Sequence, residues 1–156
     1  MSAEQLITLA KQKGLKLTTA ESCTGGLVSA ALTDIPGSSA VFERGFVTYA
    51  NTAKMDMLGV HGITLERFGA VSEETAREMA EGALQRAGAD IAVAISGIAG
   101  PGGSETKPEG RVCYAIATKA ETLSETMEHG ALGRAQVRAA ATRHALQLLK
   151  AATQEQ

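Results

Sequence analysis

The run "TTAESCTGG", residues 18–26, sets Ser22, Cys23 and Thr24 side by side where an apolar, β-rich stretch gives way to a glycine pair. All three side chains can act as nucleophiles. At a strand's carboxyl end, just before a helix, a nucleophile has the unpaired N–H groups of the first helical turn within reach as an oxyanion hole, and Gly25 and Gly26 permit close approach. The plain alternative is that Ser22 or Thr24 only caps the helix. Cys23 could instead attack, activated by the helix end, but it would need a partner such as a histidine. None of His61, His129 and His144 lies in a motif that directs it to this elbow. A serine needs a base as well.

A candidate base stands in "TYANTAK", residues 48–54, where Tyr49 and Lys54 are five apart at the end of a second strand. Ligands gather at the carboxyl ends of strands in open α/β sheets. Lysine serves as a general base only when desolvation or neighbouring positive charge lowers its pKa, which demands a buried cleft. Outside such a cleft these two would be a surface tyrosine and a solvated lysine. The third candidate is "GIAGPGGSETKPEG", residues 97–110, which holds five of the 17 glycines and two of the three prolines. Its Gly97, Gly100, Gly102 and Gly103 could offer backbone N–H groups to a phosphate or ribose. The loop lacks the Gly-Lys-Ser/Thr ending of a phosphate-binding loop for ATP, and no G-x-G-x-x-G fingerprint supports hydride transfer. Arg134 and Arg138, four apart at the start of the last helix, could clamp a phosphate or form a solvated face.

These residues need elements to place them. Ser2 with Gln5 reads as a capping box for an opening helix, with Leu6, Ile7 and Ala10 at helical spacing and Gly14 past its end. "LKLTTA" reads as a strand, "GLVSAALTDI" as a helix stopped by Pro36 and Gly37, and "RGFVTYA" as a second strand. "NTAKMDMLG" and "TLERFG" read as short helical turns. Ser72 caps an acidic first turn of a helix that runs through Met79, Ala83 and Leu84 to Gly88. "DIAVAIS" is a continuous apolar run without an amphipathic face, as in a central strand covered on both sides. "RVCYAIAT" and "LSETMEHG" read as two strands joined by a short turn, and so antiparallel. Val137, Ala141, Ala145 and Leu148 mark a closing amphipathic helix. The order predicts an α/β fold, a three-layer α/β/α arrangement on a mixed sheet of about five strands.

Composition bounds the rest. The chain has 156 residues, within the ordinary range for one domain over residues 1–156. Only 3% of residues are aromatic while 44% are apolar, so the core must be built from small and aliphatic side chains packed closely. A net charge of −2 supplies no basic field for nucleic acid. Cys23 and Cys113 are widely separated, which argues against a zinc site or a disulfide framework. No signal peptide or membrane-length apolar run is present, and the expectation is a cytoplasmic protein without a membrane partner.

In order, "TTAESCTGG", "IPGSSAVFERGFVTYANTAK", "GAVSEE", "AVAISGIAGPGGSETKPEG" and the R-x-x-V-R of Arg134–Arg138 closely resemble the CinA carboxy-terminal domain family, over nearly the whole chain. Characterised members of that family include nicotinamide mononucleotide deamidases. The resemblance implies the stand-alone form of the domain and a serine amidohydrolase that needs no metal or cofactor. Its reaction would convert nicotinamide mononucleotide to nicotinate mononucleotide and ammonia, in pyridine nucleotide salvage. By matching position Ser22, Tyr49 and Lys54 would form the catalytic group. Thr24 and Gly25 would hold the oxyanion, with Cys23 and Gly26 beside them, and Glu21 would fix the elbow or hold a polar group of the substrate. The family commonly reads Gly-Asp-Arg before the last helix, whereas here Arg134 follows Gly133 directly, which favours Arg138 as the phosphate ligand. Family members often assemble, so a homo-oligomer is a further expectation. The rival reading is a nucleotide-binding or regulatory module without hydrolytic activity.

Overall fold

A computed structural model describes residues 3–156. Ser2, and with it the proposed capping box, lies outside the described residues. Helix α1 (Ala3–Lys13) is followed by strand β1 (Leu17–Glu21), helix α2 (Leu27–Thr33), a 3-10 turn (Ser38–Ala40) and strand β2 (Phe42–Val47). Helices α3 (Asn51–Leu58), α4 (Gly62–Phe68) and α5 (Glu73–Ala87) lead to strands β3 (Ile91–Gly97), β4 (Arg111–Thr118) and β5 (Thr122–Glu128). Helix α6 (Arg134–Glu155) closes the described chain. The five strands form one sheet in the order β2-β1-β3-β4-β5, parallel across β2, β1 and β3 and antiparallel across β4 and β5. The expected mixed sheet is therefore present, with "DIAVAIS" at its centre.

The period-2 alternation of the central strands sorts their side chains between two helical layers. Ile91, Val93 and Ile95 of β3, with Val112, Tyr114 and Ile116 of β4, join Leu6, Val28, Val137 and Leu149 in one core. Ala92, Ala94, Cys113, Ala115 and Ala117 face the other way, onto Ala76, Met79, Ala80 and Ala83 of α5. Alanine on both sides of that second core lets α5 lie close to the sheet. At Gly82 a Cβ would come within 2.0 Å of Leu58 O, so α3 and α5 touch backbone to helix face. This is the tight small-residue packing that the scarcity of aromatics requires.

Local signals explain several boundaries. Ser72 accepts from Thr75 N–H at 3.2 Å and caps α5, and Gly88 ends it at φ 60°. Two differences from the sequence reading matter. The stretch expected as strand 44–50 begins earlier, at Phe42, and leaves the ladder after Val47. The Thr48 N–H still donates to Glu21 O, but the carbonyls of Thr48 and Tyr49 accept from the side chain of Lys54. In α6 the fully buried stripe is Val137, Ala141, Ala145 and Leu149, a strict i, i+4 series, while Leu148 only flanks the core. Among the described residues no helix is long and apolar enough to cross a membrane.

Candidate active site

The parallel strands β1 and β2 deliver the elbow and the lysine to the same sheet edge. Ser22 follows β1 directly, and its N–H donates to Ile95 O of β3 at 2.9 Å. Thr48 N–H donates to Glu21 O at 2.9 Å, which fixes the end of β2 beside the elbow. Helix α3 then turns back over this edge with Lys54 and Leu58 on its buried face, one turn apart. Lys54 is 1% exposed and Ser22 is 8% exposed. The Lys54 Nζ stands 3.1 Å from Ser22 Oγ and donates to Thr48 O and Tyr49 O, each at 3.0 Å.

That geometry decides what the amine can do. A neutral amine has two N–H groups and one lone pair; two carbonyls accept the hydrogens, so the lone pair is left for the Ser22 hydroxyl. Once protonated, the ammonium has three donors and finds three acceptors in place. Burial pushes the Lys54 pKa below the ordinary lysine value, and Cys23 opposes this only in part. No carboxylate bonds to Lys54 among the described residues.

Cys23 is buried beside this pair, and burial pushes its thiol up to about 11. A thiol held protonated at neutral pH is a poor nucleophile. The histidines are engaged elsewhere: His61 with Glu78, His129 with the Tyr114 hydroxyl and His144 with Glu125. Serine and lysine are thus left facing each other.

The elbow is held from two sides. The fully buried Glu21 carboxylate accepts from Gly26 N–H at 3.2 Å, Val28 N–H at 2.9 Å, Ser29 N–H at 2.9 Å and Ser29 Oγ at 2.7 Å. It therefore satisfies the open N–H groups of the first turn of α2, where a negative charge is favoured. Gly25 at φ 58° and Gly26 at φ 109° supply the left-handed turn that this requires. From the opposite side Arg138 of α6 donates to Cys23 O at 3.0 Å and Thr24 O at 3.2 Å. Gly25 N–H closes onto Ser22 O at 3.1 Å. The N–H groups of Cys23 and Thr24 have no oxygen acceptor among the described residues.

Ser22, Cys23, Tyr49, Lys54, Gly97 and Arg134 line a cavity of about 170 Å³, closed by Ala70, Val71, Ser96 and Ala99. The Tyr49 hydroxyl does not touch Lys54 or Ser22. Tyr49 is 62% exposed, and its oxygen accepts from Arg134 Nη2 at 3.0 Å, while Arg134 Nη1 donates to Gly100 O at 2.6 Å. So Arg134 is at the cavity and Arg138 is behind the elbow. Glu109 folds the glycine loop on itself by accepting from Gly102 N–H at 2.6 Å and ties it to the start of α6 by accepting from Gly133 N–H at 3.1 Å. Gly100 and Gly103 allow close approach to Glu109 and to the Lys107 backbone, and of the four loop glycines only Gly97 lines the cavity, while Gly100, Gly102 and Gly103 do not.

Three contributors escaped the sequence reading. Ser96 closes the apolar strand β3 and donates to Ala70 O at 2.8 Å inside the cavity wall; a serine ending a buried strand was the available signal. Lys107 straps the glycine loop to the end of α4 and the chain after it by donating to Phe68 O at 2.7 Å and to Val71 O. The carbonyl of Thr48 has no sequence signal, because every residue carries one.

Fold and site together define a three-layer α/β/α domain with a buried serine and lysine at one mouth of its sheet. The chain belongs to the CinA family: the model of the CinA C-terminal domain matches residues 1–153. It is 55% identical over 148 residues to the nicotinamide-nucleotide amidohydrolase PncC of Escherichia coli K12, covering 94% of this chain and 90% of that protein. To a CinA-like protein of Chloroherpeton thalassium it is 56% identical over 124 residues, 79% of this chain and 30% of the relative. The chain thus spans about a third of the length of several curated relatives that it matches. The crystal structure of the competence/damage inducible protein CihA from Agrobacterium tumefaciens superposes with a TM-score of 0.93 at 54% identity, covering 96% of this chain and 92% of that one.

Proposed function

We propose that this protein is an amidohydrolase that converts nicotinamide mononucleotide to nicotinate mononucleotide and ammonia, in pyridine nucleotide salvage, with Ser22 as nucleophile and Lys54 as general base. The observation that carries this reading is the buried Lys54 amine, whose two N–H groups are taken by carbonyls and whose lone pair is left for Ser22 Oγ at 3.1 Å. The name of the E. coli relative, a nicotinamide-nucleotide amidohydrolase, supports the choice of substrate.

Ser22 Oγ attacks the carboxamide carbon while its proton passes to Lys54. The oxyanion is received by the N–H groups of Cys23 and Thr24, since Gly25 N–H is engaged with Ser22 O. The Lys54 ammonium returns its proton to the amide nitrogen as the tetrahedral intermediate collapses, the C–N bond breaks and ammonia leaves. Water then attacks the acyl-enzyme, again giving a proton to Lys54, which passes it to Ser22 as the acid leaves. A pyridinium ring is cationic, which suits a neutral amine rather than an ammonium beside it. In this reading the ring and its carboxamide would enter the cavity of about 170 Å³, and Arg134 and Tyr49, which line it, would meet the ribose and phosphate.

The test is ammonia release from nicotinamide mononucleotide by wild type and Ser22→Ala. Release that disappears in Ser22→Ala is expected. Binding of the nucleotide by wild type without release would instead favour a non-hydrolytic module.

A further inference from the structure

The Arg138 guanidinium reaches the main chain of the elbow rather than the cavity. Its Nε donates to Cys23 O and its Nη2 to Thr24 O. Those oxygens belong to the peptide units whose N–H groups are carried by Thr24 and Gly25. A trans peptide unit is planar, and its C=O and N–H point in opposite directions. Fixing both oxygens on the α6 side therefore fixes both N–H vectors away from it. The Gly25 N–H closes the turn onto Ser22 O, and the Thr24 N–H is left without an acceptor among the described residues. Gly25 is part of the same device, because a Cβ there would sit 3.3 Å from Arg138 Nη2 on a backbone at φ 58°.

We propose that Arg138 is a positioning residue: by holding the carbonyls of Cys23 and Thr24 it aims the Thr24 N–H at the oxyanion formed when Ser22 attacks an acyl carbon. The inference rests on the amidohydrolase reading for its natural reaction, but an activated ester lets it be tested without a nucleotide. Two arginine N–H groups on two carbonyls form a planar, rigid hold that lysine reproduces only in part.

With p-nitrophenyl acetate, Ser22 oxygen bonds to the acetyl carbon, p-nitrophenolate leaves and Lys54 takes the serine proton. The Ser22-dependent rate is the difference between each protein and its Ser22→Ala counterpart. Arg138→Met should slow it about 100-fold, as expected for a misaimed oxyanion donor. Arg138→Lys should recover part of the loss, and Gly25→Ala should move the rate in the same direction as Arg138→Met. Thermal unfolding establishes that each variant is folded at the assay temperature. In a Ser22→Ala background, Arg138→Met should leave the affinity for nicotinamide mononucleotide within about twofold, because the guanidinium does not face the substrate. Wild-type ester rates in folded Arg138→Met would overturn the proposal. So would a tenfold or greater loss of nucleotide affinity with the ester rate intact, which would make Arg138 a phosphate ligand. Absence of any Ser22-dependent release by wild type would overturn it together with the nucleophile assignment. Wild type that reacts with the ester but not with the nucleotide would overturn the substrate alone.

Discussion

Replacing Lys54 with Met removes the amine while keeping most of the side chain's apolar length, and it separates the chemical from the structural role of the group. Loss of a general base costs about 10²–10⁴ in rate, which is about 3–5.5 kcal/mol in the barrier. Ammonia release at saturating nicotinamide mononucleotide should therefore fall by that factor. Wild-type kcat should rise with pH and level off below the usual lysine range, since burial lowers the Lys54 pKa, and the variant should not show that rise. Stability follows from the same contacts. Thr48 O and Tyr49 O lose their donor, at about 1–3 kcal/mol for each carbonyl that stays dry. Thr48 is fully buried while Tyr49 lines the cavity, so one carbonyl stays dry and a net loss of about 2 kcal/mol is expected. Its sign with pH is set by linkage: between the lowered folded pKa and the unfolded value near 10.5, the unfolded chain binds the extra proton. Wild-type stability therefore rises with pH across that window, and the gap to Lys54→Met should widen as pH is raised. Thermal unfolding of both proteins from pH 6 to 10 reads this directly. A variant that keeps more than about a tenth of wild-type kcat would refute the base assignment. Stability curves running parallel with pH would refute the account of the buried amine.

Cys23→Ala should retain kcat within about twofold, because a thiol pushed up to about 11 is protonated in the working range. Activity lost in Cys23→Ala and kept in Ser22→Ala would transfer the nucleophile to sulfur. Glu21→Gln keeps one acceptor oxygen but turns an amide toward donors that a carboxylate satisfied, at Gly26, Val28 and Ser29. It should lose about 3 kcal/mol, a fall in Tm on the order of 10 °C. An unchanged Tm would show that the carboxylate does not fix the elbow.

The sheet was legible because its strands carry local marks. The run from Ile91 has no polar face, as a strand covered on both sides must, and Ser72 and Gly88 bracket α5 with a cap and a left-handed stop. The end of β2 was less legible. Tyr49 is a good strand residue by type, yet its carbonyl serves a lysine five positions on, and no propensity records that demand. In α6, Leu148 and Leu149 are equivalent by composition, and only the angle at which the helix meets the sheet selects Leu149 for full burial.

The candidate site divides in the same way. Residue types marked Ser22, Tyr49 and Lys54 as candidates, with a helix cap and a solvated tyrosine and lysine as the plain alternatives, and only the resemblance to the CinA family joined them into one group; the glycines that let an elbow form were readable from the chain. Sequence could not say which arginine faces the cavity, because Arg134 and Arg138 lie one helical turn apart and their roles depend on how α6 packs against the elbow. Nor could it show that the hydroxyl of Tyr49 meets Arg134 while its carbonyl meets Lys54. What the sequence determined by itself is the inventory of reactive groups and the strand–turn–helix frame that exposes them, since both follow from side-chain chemistry and local backbone preference. Only the tertiary structure decided that Lys54 is dry, bonded to two carbonyls and opposite Ser22, because desolvation and the direction of a lone pair depend on atoms brought from distant parts of the chain.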